Sequence, residues 1–458
     1  MPQPHRAEPG RTTEPSSKSF KATNSIYRTM RYSGLVGQSL VNAGVDVGDE
    51  IEVYRGDETY RGVLMPHHDF SDPAIVTLKL SSGYNIGLEL EKDSKVRLVS
   101  KKHAKTAVER SMPVDTSKKK VAFLGTGGTI ASYVDYRTGA VHPAKSAEEL
   151  VFSVPELMDL CDVKASVLYS IYSENMEVSH WQELAKAAAA ELNSGASGVI
   201  IPHGTDTMGF TSAALSFMLR GLTGPVVCVG SQRSSDRPSS DATMNLLAAT
   251  RVCVDTDLGE VVVVMHGDIS DNFCSAHRGT KVRKMHSSRR DAFKSVNMSP
   301  LARIEGTTVA FAGEYGKRNE GPVTVLDKMN KRVSMLHFYP GLESEHFDMI
   351  ASNVDGMVIA GTGLGHVSER LIKSIRGAVK NGVFVAVTTQ CLQGAVNLNV
   401  YSTGRDMTTA GAVPLGDMLP ETAYVKLMWA LGQTSDRKEV EKIMLTNIAG
   451  EIAPRRSV

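Results

Sequence analysis

From Val121 onward the chain alternates short apolar runs with longer stretches whose apolar residues recur every three or four positions. Val121–Leu124, Val199–Ile201, Val226–Val229 and Glu260–Met265 are short, apolar and β-branched, which predicts buried strands. Between them, Trp181, Leu184, Ala185, Ala188 and Leu192 fall on one helical face. Ser179-His180-Trp181-Gln182 has the form of a capping box ahead of that face, and Gly195 closes it. Asp241–Val252 predicts a second helix, with Asn245, Leu246 and Ala249 near one face. Strand, helix, strand, helix argues for a mostly parallel α/β sheet, with ligand sites at the carboxyl ends of its strands. After a polar stretch around 317–335 the alternation resumes. Strands are predicted at Met335–Tyr339, Gly356–Ala360 and Val383–Val387, a helix near 368–380, and amphipathic closing helices at Thr422–Leu431 and Glu439–Leu445.

Ahead of Val121 the period changes from helical to two. Ile51 and Val53 alternate with polar neighbours; Val76, Leu78 and Leu80 share one face, and Ser81-Ser82-Gly83 turns the chain. Roughly five short strands here predict a small SH3-like β-barrel, a module that docks rather than catalyses. Residues 1–35 are rich in Ser, Thr, Pro, Arg and Lys and read as a basic, disordered extension. The expected fold class is therefore α/β, two α/β units preceded by the small barrel. The expected domains are an extension at 1–35, a docking domain at 36–100, a linker at 101–119, a catalytic α/β domain at 120–320, a connection at 321–334 and a second α/β domain at 335–458.

Composition narrows the function. A chain of 458 residues can bury large cores without disulfides. Its net charge of +1 supplies no global field for nucleic acid, so any RNA contact must be local or belong to a partner. The five cysteines are scattered and show no metal-ligand spacing, which suits reduced thiols in a cytoplasmic protein. No metal site is expected; His67-His68-Asp69 has no second cluster to support it. The densest apolar run, Val261–Met265, is too short to span a bilayer. The polar start has no apolar core of a signal peptide.

Three motifs remain. The strand at Val121–Leu124 runs into Gly125-Thr126-Gly127-Gly128-Thr129-Ile130, a tight turn that presents hydroxyls. A dinucleotide fingerprint needs glycine where Ile130 stands, and no Lys-Ser/Thr follows as a phosphate loop requires. His203-Gly204-Thr205-Asp206-Thr207 leaves the strand Val199–Ile201 in the same way, though alone it would read as a helix start. Lys281-Val282-Arg283-Lys284 is a basic run of the kind usually found at a solvated surface. A lysine buried next to a Thr–Asp pair would instead have its pKa lowered and become a usable base.

Together, Thr126-Gly127-Gly128-Thr129-Ile130 and His203-Gly204-Thr205-Asp206-Thr207 resemble the signatures of the two-threonine bacterial-type asparaginase/glutaminase family, over residues 118–432. The resemblance implies a larger and a smaller α/β unit and an active site between subunits or domains. It implies Thr129 as nucleophile, with Thr205, Asp206 and Lys284 as the second catalytic group; Lys281 is the alternative base. It implies Gly128, Tyr136 on a mobile lid, Ser173 and Glu174 as substrate-binding residues. The small β-domain, Gly230–Asp241 and Asn397–Arg405 resemble one branch more closely, the archaeal glutaminases that feed tRNA-dependent amidation. That branch implies ammonia release from glutamine and a partner subunit that activates Glu-tRNA(Gln) with ATP and Mg²⁺. It implies no cofactor in this chain and a homodimer within a heterotetramer. Two rival readings share the same residues: a free-standing L-asparaginase, and a docking protein that keeps the fold without the chemistry.

Overall fold

A computed structural model describes residues 32–65, 67, 72–80, 85–91, 93–101, 115–127, 132–135, 140–143, 154, 156–233 and 240–453. They fall into two compact units, one holding the N-terminal sheet and one holding both α/β lobes.

The N-terminal unit is a five-stranded antiparallel sheet in the spatial order Asn85–Glu89, Ile75–Lys79, Glu58–Leu64, Glu50–Arg55, Lys95–Ser100. The expected alternation holds: Ile51, Val53, Val76 and Leu78 are fully buried on one face. The folded unit begins before residue 36, however. A helix at Gly34–Asn42 buries Val36 and Leu40, and Tyr32 joins the core, donating its hydroxyl to the Met65 carbonyl at 2.8 Å. Glycine, serine and asparagine in that helix hid it from periodicity.

In the larger unit the main sheet has eight strands. Their spatial order is Thr308–Phe311, Ala302–Glu305, Cys274–Arg278, Val261–His266, Val226–Val229, Gly198–Pro202, Lys120–Gly127, Asp162–Ile171. The last five are parallel and the first three antiparallel, so the predicted parallel sheet carries an antiparallel extension. Numbered by chain position, the parallel strands run 2-1-3-4-5, and the order reverses between Lys120–Gly127 and Gly198–Pro202. Crossovers on either side of that reversal diverge, leaving a crevice at the carboxyl ends of these two strands. The Thr126 hydroxyl donates to the Pro202 carbonyl at 2.9 Å and ties the strand ends together.

Helix Val178–Asn193 buries the predicted face, Trp181, Leu184, Ala185, Ala188 and Leu192. Its cap lies two residues earlier than predicted. Glu177 accepts from the His180 backbone, and His180 Nδ1 accepts from the Glu177 N–H at 2.9 Å. Histidine thus takes the reciprocal role usually given to Glu or Gln, a pairing that a Ser-x-x-Gln pattern does not include.

The second lobe has four parallel strands, Val333–His337, Gly356–Gly361, Phe384–Thr389 and Val413–Pro414. The expected closing helix spans Pro420–Gln433 and is not amphipathic. Ala423, Val425, Leu427, Met428, Trp429 and Ala430 are all buried, because the helix packs between Met208–Met218 and the second sheet. Trp429 stacks on Phe217 with ring centroids 6.0 Å apart. One apolar core therefore joins both lobes.

That helix also buries Lys426 completely. Its ammonium meets Glu451, itself fully buried, at 2.5 Å and the carbonyls of Met444 and Thr446. Glu451 also accepts the backbone N–H groups of Ile448 and Ala449, pinning the C-terminal segment. Removing one member of such a pair strands the other charge away from water, at a cost of about 3–5 kcal/mol, whereas removing both together costs much less. Glu451→Ala is expected to lower the denaturant-unfolding free energy by that amount, and a Lys426→Met/Glu451→Leu double variant to recover most of it. Equal losses in the single and double variants would contradict this account.

Candidate active site

The segment 203–207 leaves Gly198–Pro202 at the point of strand reversal and enters helix Met208–Met218. Thr205 is buried there, while the Asp206 carboxylate reaches solvent. Facing them is a small hairpin, Val282–Lys284 paired with Phe293–Ser295. The Lys284 ammonium donates to Thr205 Oγ1 at 2.8 Å and to Asp206 Oδ1 at 2.8 Å. A lysine thus joins, in one hydrogen-bonded group, two residues that precede it by 79 and 78 positions.

The geometry separates Lys284 from Lys281. Side chains along an extended segment alternate in direction, so positions an odd number apart face opposite ways. Val282 enters the core and Lys284 meets Thr205, whereas Lys281 turns away to Asp417 at 2.6 Å and is fully buried. The basic run is therefore no solvated patch: Arg283 pairs with Glu421 at 2.7 Å, and each of its three cations has an acidic partner.

Ser173 lies beside this group, buried in the turn Ser173–Asn175; Glu174 is exposed next to it. The Thr207 hydroxyl donates to the Ser173 carbonyl at 2.7 Å. Gly204 makes this approach possible. A Cβ there would lie 2.6 Å from Ser173 Cβ and 2.8 Å from its Oγ, closer than side-chain atoms tolerate. At the end of the neighbouring strand, Gly127 has a φ of 98°, and a Cβ there would meet the Ile171 backbone at 2.5 Å. Gly128, Thr129 and Tyr136 lie outside the described residues.

Behind the site is a support that motif reading did not assign. His203 is fully buried, with Nδ1 2.6 Å from the Gly204 carbonyl and Nε2 2.9 Å from Thr211 Oγ1. The indole N–H of Trp181 donates to the same hydroxyl at 3.0 Å. An indole only donates, so the Thr211 proton is left for Nε2, and Nδ1–H is left for Gly204. The chain Trp181–Thr211–His203 thereby selects one tautomer and holds the 203–207 segment. His203 was visible in the motif, but Thr211 and Trp181, on two other helical turns, carried no signal there. Burial pushes the His203 pKa down to about 4, so the ring is neutral near pH 7.

Among the described residues no cluster of His, Cys, Asp and Glu is arranged to hold a metal ion; His67 is described, and His68 and Asp69 lie outside. Nor is any helix among them long and apolar enough to cross a membrane. Four of the cysteines are buried, and burial pushes the Cys228 thiol up to about 12; Cys391 is exposed.

Comparison with known proteins places these elements in context. Residues 120–315 match the family described as Asparaginase, N-terminal; residues 332–444 match the Glutaminase/Asparaginase C-terminal domain; residues 45–99 match the GatD N-terminal domain. The D subunit of the glutamyl-tRNA(Gln) amidotransferase of Pyrococcus furiosus is 52% identical over 428 residues, 92% of this chain and 98% of that protein. The protein of the same name from Metallosphaera sedula is 48% identical over 431 residues, 93% of this chain and 97% of that protein. The thermostable L-asparaginase of Thermococcus kodakarensis superposes with a TM-score of 0.68 at 33% identity, covering 73% of this chain and 100% of that one.

His203 also makes the site's support sensitive to acid. Its pKa is about 4 when folded and ~6.5 when unfolded, so as pH falls the unfolded chain takes up the proton first. The stabilisation is complete above ~6.5 and is lost as pH falls toward 4, by up to ~1.4 kcal/mol per pH unit for one proton. His277, held by burial at about 3, acts in the same direction. Urea midpoints are expected to fall between pH 7 and 5, and His203→Gln to make that decline shallower. A decline of unchanged steepness in the variant would remove His203 from the explanation.

Proposed function

The chain belongs to the family of glutamyl-tRNA(Gln) amidotransferase D subunits, with an asparaginase fold, and we propose that it is the glutaminase of such a complex. It hydrolyses the side-chain amide of glutamine and supplies ammonia to a partner, the E subunit, which converts Glu-tRNA(Gln) to Gln-tRNA(Gln). ATP and Mg²⁺ serve the partner's step, making the whole complex a carbon–nitrogen ligase. The chain itself works as a dimer within a heterotetramer.

The observation that carries this reading is the Lys284 ammonium held 2.8 Å from both Thr205 Oγ1 and Asp206 Oδ1 at the strand reversal. A threonine hydroxyl is a weak nucleophile and needs a base that can take its proton and return it. In the proposed mechanism Thr129 attacks the amide carbon, and its proton moves through this group to the departing nitrogen. Ammonia leaves, and an acyl ester remains on Thr129. Water, deprotonated by the same group, attacks that ester; glutamate is released, and the group returns the proton to the departing Thr129 oxygen. Asp206 steadies the lysine when it carries charge. Because Asp206 reaches solvent, it also offers a free oxygen to the ammonium of the bound amino acid. Ser173 and nearby backbone N–H groups receive the substrate carboxylate, Gly128 lets substrate approach the backbone, Tyr136 closes over the site, and Glu174 lies at the rim.

The test is ammonia release from glutamine and from asparagine, with and without the partner and charged tRNA. Thr129→Ala is expected to abolish release, and Lys284→Met or Thr205→Val to lower kcat by roughly 10²–10⁴-fold, the range for a lost proton-transfer group. Full activity on asparagine, independent of partner and tRNA, would instead identify a free-standing asparaginase. Undiminished release by Thr129→Ala would refute the nucleophile.

A further inference from the structure

Lys284 rides on a hairpin that cannot position itself. Its two strands have three residues each, and an isolated two-stranded ladder is marginal in water even when longer. What fixes it is the grip of its neighbours: within the first lobe Val282 and Phe293 enter the core, Ser295 meets His277 and Lys294 reaches the Gly267 carbonyl, and the second lobe holds the hairpin's open end. Lys281 Nζ donates to Asp417 Oδ2 at 2.6 Å and to the Asp417 carbonyl at 3.0 Å. At the same open end, just past the returning strand, Asn297 holds a left-handed φ of 61°. Its amide donates to the Asp417 carbonyl at 3.2 Å and to the Gly394 carbonyl at 2.9 Å, and it accepts from Gly394 N–H at 2.8 Å. Thr422 donates to the Thr280 carbonyl at 2.8 Å, and Glu421 pairs with Arg283. Asp417 Oδ1 in turn accepts from Ala453 N–H at 3.0 Å, so one carboxylate binds the hairpin and the C-terminal segment together.

Lys281 is 0% exposed and Asp417 5%. A buried pair of charges adds little net stability, since desolvation consumes most of the attraction. It does impose direction, because every departure from its geometry is costly in a medium that screens poorly. Three residues along the same segment, Lys284 must meet two oxygens at once, a requirement on position rather than on stability.

We propose that Lys281 and Asp417 are a positioning pair through which the second lobe sets the placement of Lys284 against Thr205 and Asp206. The proposal rests on the reading of Lys284 as the proton-transfer group. It makes the order of the Asp417 segment a determinant of turnover, separate from substrate binding. Displacing a reacting group by about 1 Å is enough to cost on the order of 10²-fold.

The experiment uses the full-length chain assembled with its partner, measuring kcat, KM and the pH–rate profile for ammonia release, with melting temperature as a check on folding. Asp417→Asn removes the charge while keeping an acceptor for Ala453. It is expected to lower kcat about tenfold or more, to leave KM within about twofold, and to shift the limb of the pH profile that Lys284→Met abolishes. Glu421→Gln, at a partly exposed pair, is expected to act in the same direction with a smaller effect, and it carries the test if Asp417→Asn fails to fold. Lys281→Arg, which keeps the charge, is expected to retain more kcat than Lys281→Met at equal melting temperature. Folded variants with wild-type kcat and pH profile would overturn the positioning role while leaving Lys284 in place. If Lys284→Met itself turns over normally, the base assignment falls, and the positioning role falls with it.

Discussion

The order of five parallel strands is the constraint from which the site follows. Because Lys120–Gly127 lies between the second and third strands of the set, the chain crosses the sheet in opposite directions on its two sides. Crossovers that diverge in this way make the strand ends between them the place for a crevice. Strand ends 76 residues apart are brought there by sheet register rather than by local sequence, and the Thr126–Pro202 hydrogen bond holds them level. The lysine arrives from a third place, on a hairpin that belongs to neither strand.

Charge is handled in two ways. Away from the crevice, Lys281 and Lys426 are completely buried; each is neutralised by one carboxylate and also donates to backbone carbonyls, one for Lys281 and two for Lys426. Burial pushes each ammonium's pKa down, and the paired carboxylate opposes it. Both carboxylates also fasten the last residues described, Ile448 to Ala453, so that segment is tied to the hairpin and to the helix that joins the lobes. In the crevice the arrangement is looser. Thr205 is buried, Lys284 is mostly covered, and Asp206 faces water. An acceptor left in solvent can exchange partners as a reaction proceeds, and one sealed in a core cannot.

Neutral polar groups complete the frame. His203, Thr211 and Trp181 form a chain in which each atom has one possible role, so a single tautomer results. The 203–207 segment needs this because its glycine packs against Ser173 with no side chain to anchor it. The backbone carbonyl of Gly204 is held instead, by a donor from behind.

Periodicity alone determined that the chain holds a small β-unit followed by two α/β lobes, since burial on one face or two leaves its period in the order of residues. It also marked the ends of Val121–Leu124 and Val199–Ile201 as places where hydroxyls leave a strand, and it included Lys284 within a run of four basic or apolar residues. It did not separate Lys284 from Lys281, because alternation shows that two side chains diverge without saying what lies on either side. Nor did it find helix Gly34–Asn42, the histidine cap at His180, or the extent to which Pro420–Gln433 is buried. The first depends on the N-terminal sheet against which Val36 and Leu40 pack, the second on a side-chain geometry that no period records, and the third on the docking of the two lobes. The partners of Lys281, His203 and Lys426 were decided in the same way. A buried polar group must be satisfied by whatever the fold brings within about 3 Å, and nothing in linear order records which residue that is.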